Sequence, residues 1–294
     1  MLIRSKLFVP GSRPELFAKA VSSAADAVSF DLEDAVAPDC KESARASVAS
    51  FLPAPVGKIV IVRVNAPDTE WFHADLQSVV VPGVDVINLP KVESASGLRI
   101  AIGAIADAER ACGLDHRIPV LANIETPKGL RLAHEIATAD PRVLGLQIGF
   151  ADLFLPLGID RTNANAAQFV RMAVRLAAGE AGIPAYDAAF PDIRNAELCR
   201  AEAEASRQLG YAGKSCIHPS QIAIANEVFA PCPGEVEHAK KVLASARDAA
   251  ERGSQAFVVD GQLIDAPMIS HARMICHARA IAVAAGLARE PDAH

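Results

Sequence analysis

The sequence predicts a single (β/α)8 barrel followed by a C-terminal helical extension, an α/β fold, and three observations carry that expectation. Eight strand-like apolar runs alternate with helix-like segments over roughly 230 residues, the count and size of such a barrel. The hydrophobic class makes up 51% of the chain but aromatics only 5%, so the apolar content is aliphatic, as suits buried parallel strands under alanine-rich helices. The competing architecture, a doubly wound open sheet, usually carries a glycine-rich phosphate fingerprint after its first strand. Gly11-Ser12-Arg13 does not provide one.

Taken in order, Ser5–Pro10 reads as strand one, and a helix opens at Pro14, proline being at home in the first helical position. Ala27–Leu32 is strand two, ending in Glu33-Asp34, with a helix following from Lys41 to Phe51. Lys58–Val64 is rich in β-branched residues and carries Arg63 near its end. A short helix over Trp71–Val79 precedes strand four, Val84–Leu89, which ends in Pro90-Lys91; Ser94–Cys112 has helical periodicity. Val120–Ile124 and Val143–Gly149 are strands five and six, with a helix over Lys128–Ala137 between them and another over Ala164–Ala181 beyond. Pro184–Phe190 and Gly213–Ile217 are strands seven and eight, separated by a helix over Ala196–Leu209. The barrel is thus expected over residues 1–230 and the extension over 231–294. Within the extension, Gly234–Arg252 reads as a helix, Gln255–Ile264 as a hairpin turning at Asp260-Gly261, and Pro267–Leu287 as an alanine-rich helix. So short an appendix is expected to bury no core of its own and to pack on the barrel or on a neighbouring subunit.

Bulk properties exclude several function classes. The net charge is −6 and no basic block exceeds Lys240-Lys241, so no nucleic-acid footprint is expected. No apolar run approaches the roughly 18 residues of a membrane span. Met1-Leu2-Ile3-Arg4 leads straight into a strand with no leader-like apolar stretch. The six cysteines are scattered and never form a CxxC pair, which points to reduced thiols in a cytoplasmic protein rather than to disulfides or a zinc site.

The chemistry is expected at the strand ends. Strands five and six flank a helix and are therefore parallel, so Glu125 after one and Asp152 just past the other share one end of the barrel, where such folds keep their active sites. Two convergent oxygen ligands suit a hard cation such as Mg2+; equally, Glu125 can cap the next helix and Asp152 a turn. Arg13, Glu33, Asp34, Arg63, Lys91, Glu93, Asp187 and His218 fall at the other strand ends. Arg63 can clamp a carboxylate bidentately or pair with Glu33 or Asp34. A chelated metal beside an arginine suits a substrate with a carbonyl next to a carboxylate.

Several segments also match a known family: Ser5-Lys6-Leu7-Phe8-Val9-Pro10-Gly11-Ser12-Arg13, Asp31-Leu32-Glu33-Asp34-Ala35, Arg63-Val64-Asn65, Lys91-Val92-Glu93, Ile124-Glu125-Thr126, Ala151-Asp152-Leu153, Gly213-Lys214-Ser215-Cys216-Ile217-His218-Pro219 and Ile264-Asp265-Ala266-Pro267. In this order, over nearly the whole chain, they resemble the citrate lyase β-subunit-like proteins, the citryl-, malyl- and citramalyl-CoA lyases of the HpcH/HpaI aldolase superfamily. The resemblance implies a TIM-type barrel and a Mg2+-dependent carbon–carbon lyase that cleaves an acyl-CoA thioester into acetyl-CoA and a 2-oxo acid. It implies Glu125 and Asp152 as metal ligands, with Glu125 also facing the substrate, and Arg63 as the residue holding substrate or oxo-acid product. Asp265 becomes an acid/base group supplied across the interface of a homotrimer. Glu33 and Asp34 are expected as orienters of the metal site rather than its ligands.

Alternatives stay open at this point. Asp265 can simply cap the last helix, His218 can be structural, and Arg13 and Lys19 can meet CoA phosphates or only water. A Schiff-base route through Lys91 or Lys214 is possible but unnecessary beside a metal. The same enolate chemistry can serve a thioesterase or malate-synthase-like reaction. The chain can also work as one subunit of a larger lyase whose substrate rides on an acyl carrier protein, or as an inactive binding barrel.

Overall fold

The computed structural model describes residues 2–52, 57–253 and 256–284. Contacts divide the chain into two compact units, Ile3–Phe229 and, with Leu2, the residues from Ala230 onward.

The first unit is a closed barrel of parallel strands in sequence order: β1 (Ser5–Pro10), β2 (Ala27–Asp31), β3 (Ile59–Arg63), β4 (Val86–Leu89), β5 (Val120–Ile124), β6 (Val143–Ile148), β7 (Ala185–Asp187) and β8 (Gly213–Cys216). Pairing of β1 with β8, Lys6 opposite Ser215, closes it. The helices are α1 (Phe17–Val21), α2 (Lys41–Phe51), α3 (Phe72–Val79), α4 (Ala95–Cys112), α5 (Pro127–Arg131), α6 (Ala133–Ala137), α7 (Phe150–Phe154), α8 (Ala164–Glu180), α9 (Ala196–Gln208) and α10 (Ser220–Val228). The single helix expected over Lys128–Ala137 is two short ones, broken at Leu132, whose φ of −105° and ψ of 17° leave the helical region. Helix α10 follows β8 and was not anticipated from the sequence.

Alternation along each strand sends one set of side chains outward and the other into the barrel. The outward set, including Leu7, Val28, Phe30, Val62, Leu89, Ala122, Leu146 and Cys216, forms one core with the inner faces of the helices. The inward set is tiered. Ile3, Ala27, Ile61, Val86, Leu121 and Tyr186 make a separate apolar plug toward the strand N-termini. Above it the parity of the strands brings a buried polar tier, Lys6, Ser29, Asn88, Asn123, Gln147 and Ser215, into the interior. Barrel interiors are ordinarily filled by branched apolar residues, so this tier is a departure with a cost. Asp31, Arg63 and Glu125 stand one step nearer the strand C-termini.

The second unit contains α11 (Pro233–Glu251), an antiparallel hairpin of β9 (Phe257–Val259) and β10 (Gln262–Ile264), and α12 (Ala266–Ala284). The hairpin turns at Asp260 and Gly261, both with positive φ (48° and 83°), the backbone that an Asp-Gly pair tolerates best. Gln255 and Leu287, the outer ends of the expected hairpin and last helix, lie outside the described residues. The unit does bury a small core of its own, Ala239, Val242, Val259, Ile264 and Ala272, contrary to expectation. The hairpin makes this possible by giving the apolar faces of two helices a third partner.

Candidate active site

A cavity of about 640 Å³ opens at the C-terminal ends of the barrel strands. Its charged lining is Asp31, Asp34, Arg63, Glu125, Asp152 and Arg161, and much of the rest is apolar, with Phe8, Ile148, Phe154 and Ile217 among it.

Glu125 directly follows β5 and is only 2% exposed. Its Oε1 accepts the Lys91 backbone N–H at 2.7 Å and its Oε2 the Asn123 side-chain amide at 3.2 Å. Each oxygen therefore keeps a lone pair. Lys91 can donate this way because its backbone sits at a φ of 49°, unusual for a residue with a side chain. Gly149, just after β6, leaves the space Glu125 needs: a Cβ there would lie 2.2 Å from Oε2. Burial, reinforced by the nearby Asp152 charge and opposed by Arg63 and the Lys91 N–H, pushes the Glu125 carboxyl up to about 6.

Asp152 lies in α7, next to β6, and its half-buried side chain borders the same cavity. Lys91 Nζ connects it to the β2 loop, lying 3.6 Å from Asp152, 2.6 Å from Glu33 and 3.3 Å from Asp34. These carboxylates, Glu33 foremost, hold the Lys91 proton tightly although burial opposes it.

Arg63 ends β3. Its Nε and Nη2 each donate to Asp31 at 2.7 Å, and Nη1 lies 2.8 Å from Glu33 Oε2, an ion pair without a well-directed hydrogen bond. Burial works against the Asp31 charge, but Arg63 and the Glu33 and Ala35 N–H groups hold that carboxyl below its ordinary value. For Glu33 burial wins, helped by the charges of Glu125 and Asp34, and its carboxyl is pushed up to about 7. Lys41 anchors this loop from behind, its ammonium donating to Leu32 O and Glu33 O at 2.7 Å and to Asn65 Oδ1 at 2.6 Å.

Five carboxylates, Asp31, Glu33, Asp34, Glu125 and Asp152, thus gather about Arg63 and Lys91, with Arg161 also on the cavity. Burial is the main cause of the upward shifts of Glu33 and Glu125, and the neighbouring carboxylates add to it against the pull of Arg63. Among the described residues no group of three or more His, Cys, Asp or Glu side chains is set to hold a metal by itself. The donor set nevertheless fits Mg2+, which commonly takes one or two carboxylates and keeps its waters.

The structure gathers Arg63, Glu125, Asp152, Glu33 and Asp34, as well as Lys91, at one mouth. Asp187 and Lys214 point outward instead: Lys214 donates to Asp187 at 3.0 Å and Glu202 at 2.6 Å, and Arg171 to Asp187 at 2.9 Å. With Lys91 and Lys214 both held protonated by their carboxylates against the effect of burial, neither offers the free amine a Schiff base needs. Glu93 pairs with Lys128 at the surface, Arg13 pairs with Glu15, Lys19 is exposed, and His218 is exposed in a turn with Ser220. Asp265 stands in the second unit, between β10 and α12, exposed, its carbonyl accepting the Ile269 N–H at 3.1 Å.

Sequence reasoning missed Asp31, Asn123, Arg161 and Lys6. Strand parity carried a signal for two of them, since Asp31 and Asn123 share phase with Ser29 and Glu125. Arg161 lies beyond β6 with its guanidinium 4.2 Å from the Phe150 ring centre and 2.8 Å from Glu202, which no local pattern announces.

The model of the family described as HpcH/HpaI aldolase/citrate lyase matches residues 4–219. Citrate lyase subunit beta of Haemophilus influenzae is 39% identical over 277 residues, 93% of this chain and 95% of that protein. A (3S)-malyl-CoA thioesterase of Cereibacter sphaeroides is 39% identical over 273 residues, 92% of each chain. The crystal structure of protein CitE from Mycobacterium tuberculosis in complex with magnesium, acetoacetate and coenzyme A matches with a TM-score of 0.76 at 33% identity, covering 95% of this chain and 98% of that one.

Proposed function

The chain belongs to the HpcH/HpaI aldolase/citrate lyase family, and from that premise we propose that it is a Mg2+-dependent lyase cleaving a 3-hydroxyacyl thioester of the citryl-, malyl- or citramalyl-CoA type into acetyl-CoA and a 2-oxo acid. The observation that carries this reading is the pair Glu125 and Asp152 on one cavity with Arg63, in a cluster where carboxylates outnumber cations.

In this reading Glu125 and Asp152 hold the cation, while Glu33 and Asp34 orient the site through Lys91 and Arg63. Bound there, Mg2+ would supply Lewis-acid stabilisation of negative charge on the oxygen of the 2-oxo acid. Arg63, stiffened by Asp31, presents its remaining N–H groups to the substrate carboxylate. Loss of the hydroxyl proton and scission of the bond between C2 and C3 leave a carbonyl on the oxo acid and an enolate on the thioester. Protonation of that enolate carbon gives acetyl-CoA. Asp265 is assigned this proton transfer, delivered by the C-terminal unit of a neighbouring copy in a homo-oligomer, a trimer in the family's pattern.

The test is incubation with Mg2+ and a panel of CoA esters, following release of 2-oxo acid. Absence of cleavage of every ester, with Glu125→Ala indistinguishable from the parent, rejects the lyase reading. Asp265→Asn should abolish turnover while Mg2+ and oxo acid still bind; loss of metal binding would show that the residue is misplaced. The thioesterase-named relative favours a second outcome, hydrolysis of the ester. It is distinguished by release of free CoA thiol, which lysis to acetyl-CoA does not produce. The subunit-named relative favours substrate presented on an acyl carrier within a complex, which gel filtration with candidate partners separates from a stand-alone enzyme.

A further inference from the structure

The polar tier inside the barrel contains one continuous path. Lys6 Nζ donates to Asn88 Oδ1 at 3.1 Å, Asn88 Nδ2 to Asn123 Oδ1 at 2.7 Å, and Asn123 Nδ2 to Glu125 Oε2 at 3.2 Å. All four side chains are buried, none more than 3% exposed. The direction of the path is fixed chemically. Asn88 Nδ2 also donates to the Leu121 carbonyl at 3.0 Å, which can only accept, so the oxygen of Asn88 must face Lys6. Asn123 then accepts with its oxygen and turns its amide toward the carboxylate. A buried lysine amine, whose charged form burial and the nearby Arg63 disfavour, two aligned amides and a carboxylate therefore run head to tail through β1, β4 and β5.

The path is not explained by general satisfaction of buried groups. Ser29 Oγ, Gln147 Oε1 and Ser215 Oγ share the tier and have no hydrogen-bond partner among the described residues. Apolar residues would fill a barrel interior at lower cost, because buried ionic groups rarely gain more than their desolvation takes. The polar chain is continuous only where it leads to Glu125, and aligned hydrogen bonds polarise one another in so dry a setting.

We propose that Lys6 is a positioning residue for the cation-binding carboxylate, acting through Asn88 and Asn123 to hold Glu125 Oε2 in place and to support its negative charge. This rests on the reading of Glu125 as a cation ligand. Lys6 neither hydrogen-bonds the carboxylate nor lines the cavity, so its hydrogen-bonded route to Glu125 is the one through Asn88 and Asn123.

The experiment is calorimetric titration of the full-length protein with Mg2+ alone. Partners that orient metal ligands are typically worth about 10- to 100-fold in affinity, and Lys6→Met should weaken binding by about tenfold. Asn88→Leu, of similar volume, cuts the path at its middle and should weaken binding about as much. The two changes interrupt one path, so the double variant should also lose only about tenfold, whereas independent disruptions would multiply to about a hundredfold. Ser29→Ala, in the same tier but off the path, should leave affinity within about twofold of the parent, a control for packing changes that do not touch the chain. Glu125→Gln should lose binding. If Glu125→Gln is silent, the cation reading itself fails and the inference with it. If Glu125→Gln loses binding while Lys6→Met and Asn88→Leu bind as the parent does, or if their effects multiply, the positioning role is overturned. Should Lys6→Met not fold, Asn88→Leu against Ser29→Ala decides the question alone.

Discussion

At the scale of single residues, the site depends on what is absent as much as on what is present. Gly149 contributes no side chain, and a Cβ would lie 2.2 Å from Glu125 Oε2 and 2.6 Å from its Cβ. Gly149→Ala should therefore displace the carboxylate and lower kcat by about a hundredfold, the cost of an ångström-scale misplacement. Circular dichroism should show the barrel intact; unchanged kinetics would mean that Glu125 moves freely. Glu33 makes a pH-dependent statement. Its carboxyl is raised to about 7 from an ordinary 4.5, so between these values the fold holds a proton that the unfolded chain has released. The stabilisation is complete below the unfolded value and is lost as pH rises through the folded one. Glu33→Gln should remove that fall, at most about 3 kcal/mol, from the unfolding free energy of the metal-free protein. Urea titrations over this pH range measure it; an unaltered slope would show Glu33 ionising normally beside Arg63 and Lys91.

At the scale of elements, the barrel strands were legible because β-branched and apolar runs of this length allow little else. Only their ends differ, as at β7, which stops at Asp187 instead of running to Phe190. Helix α10 was not legible. It begins immediately after Pro219 with no capping side chain, and a proline-led turn resembles a loop. The loop after β2 depends on the helix that follows it, α2, whose first residue Lys41 donates to the Leu32 and Glu33 carbonyls and, farther along the chain, to Asn65. Asn65 in turn donates to Asp75 at 2.7 Å, which accepts from Arg45 at 2.9 Å. Lys41→Met removes the charged donor of this clasp. Hydrogen bonds to charged groups are worth about 1.5–3 kcal/mol, less when the orphaned acceptors find water, so a loss of about 3 kcal/mol is expected. Denaturant unfolding measures it, and a change under about 0.5 kcal/mol, the level of an ordinary surface substitution, would show the clasp to be incidental.

At the scale of the whole molecule, the surplus of carboxylates means that a divalent cation should stabilise the fold. At a hundredfold excess over its Kd, Mg2+ should add about 2.7 kcal/mol, seen as a rise in Tm that a chelator reverses and that Glu125→Gln lacks. An absent shift in the parent would argue against any cation at this site. If Asp265 serves a neighbouring copy, mixing Asp265→Asn with Glu125→Ala after co-refolding should restore activity that neither variant has alone. Failure to complement, with both variants oligomeric, would place the acid/base group elsewhere.

The sequence by itself determined the alternation of strands and helices, the strand order that a β/α repeat imposes, and the acids at the ends of β5 and β6. These follow from local periodicity and from the parallel geometry of strand–helix–strand units. Only the tertiary structure decided which strand-end charges meet. Asp187 faces α8 through Arg171 while Asp31 faces Arg63, because barrel closure fixes the phase of each strand relative to the interior. It also decided that Lys6, 119 residues before Glu125 in the chain, lies two amides away from it. Such a path joins three strands, and no pattern along one strand can encode the distance between them.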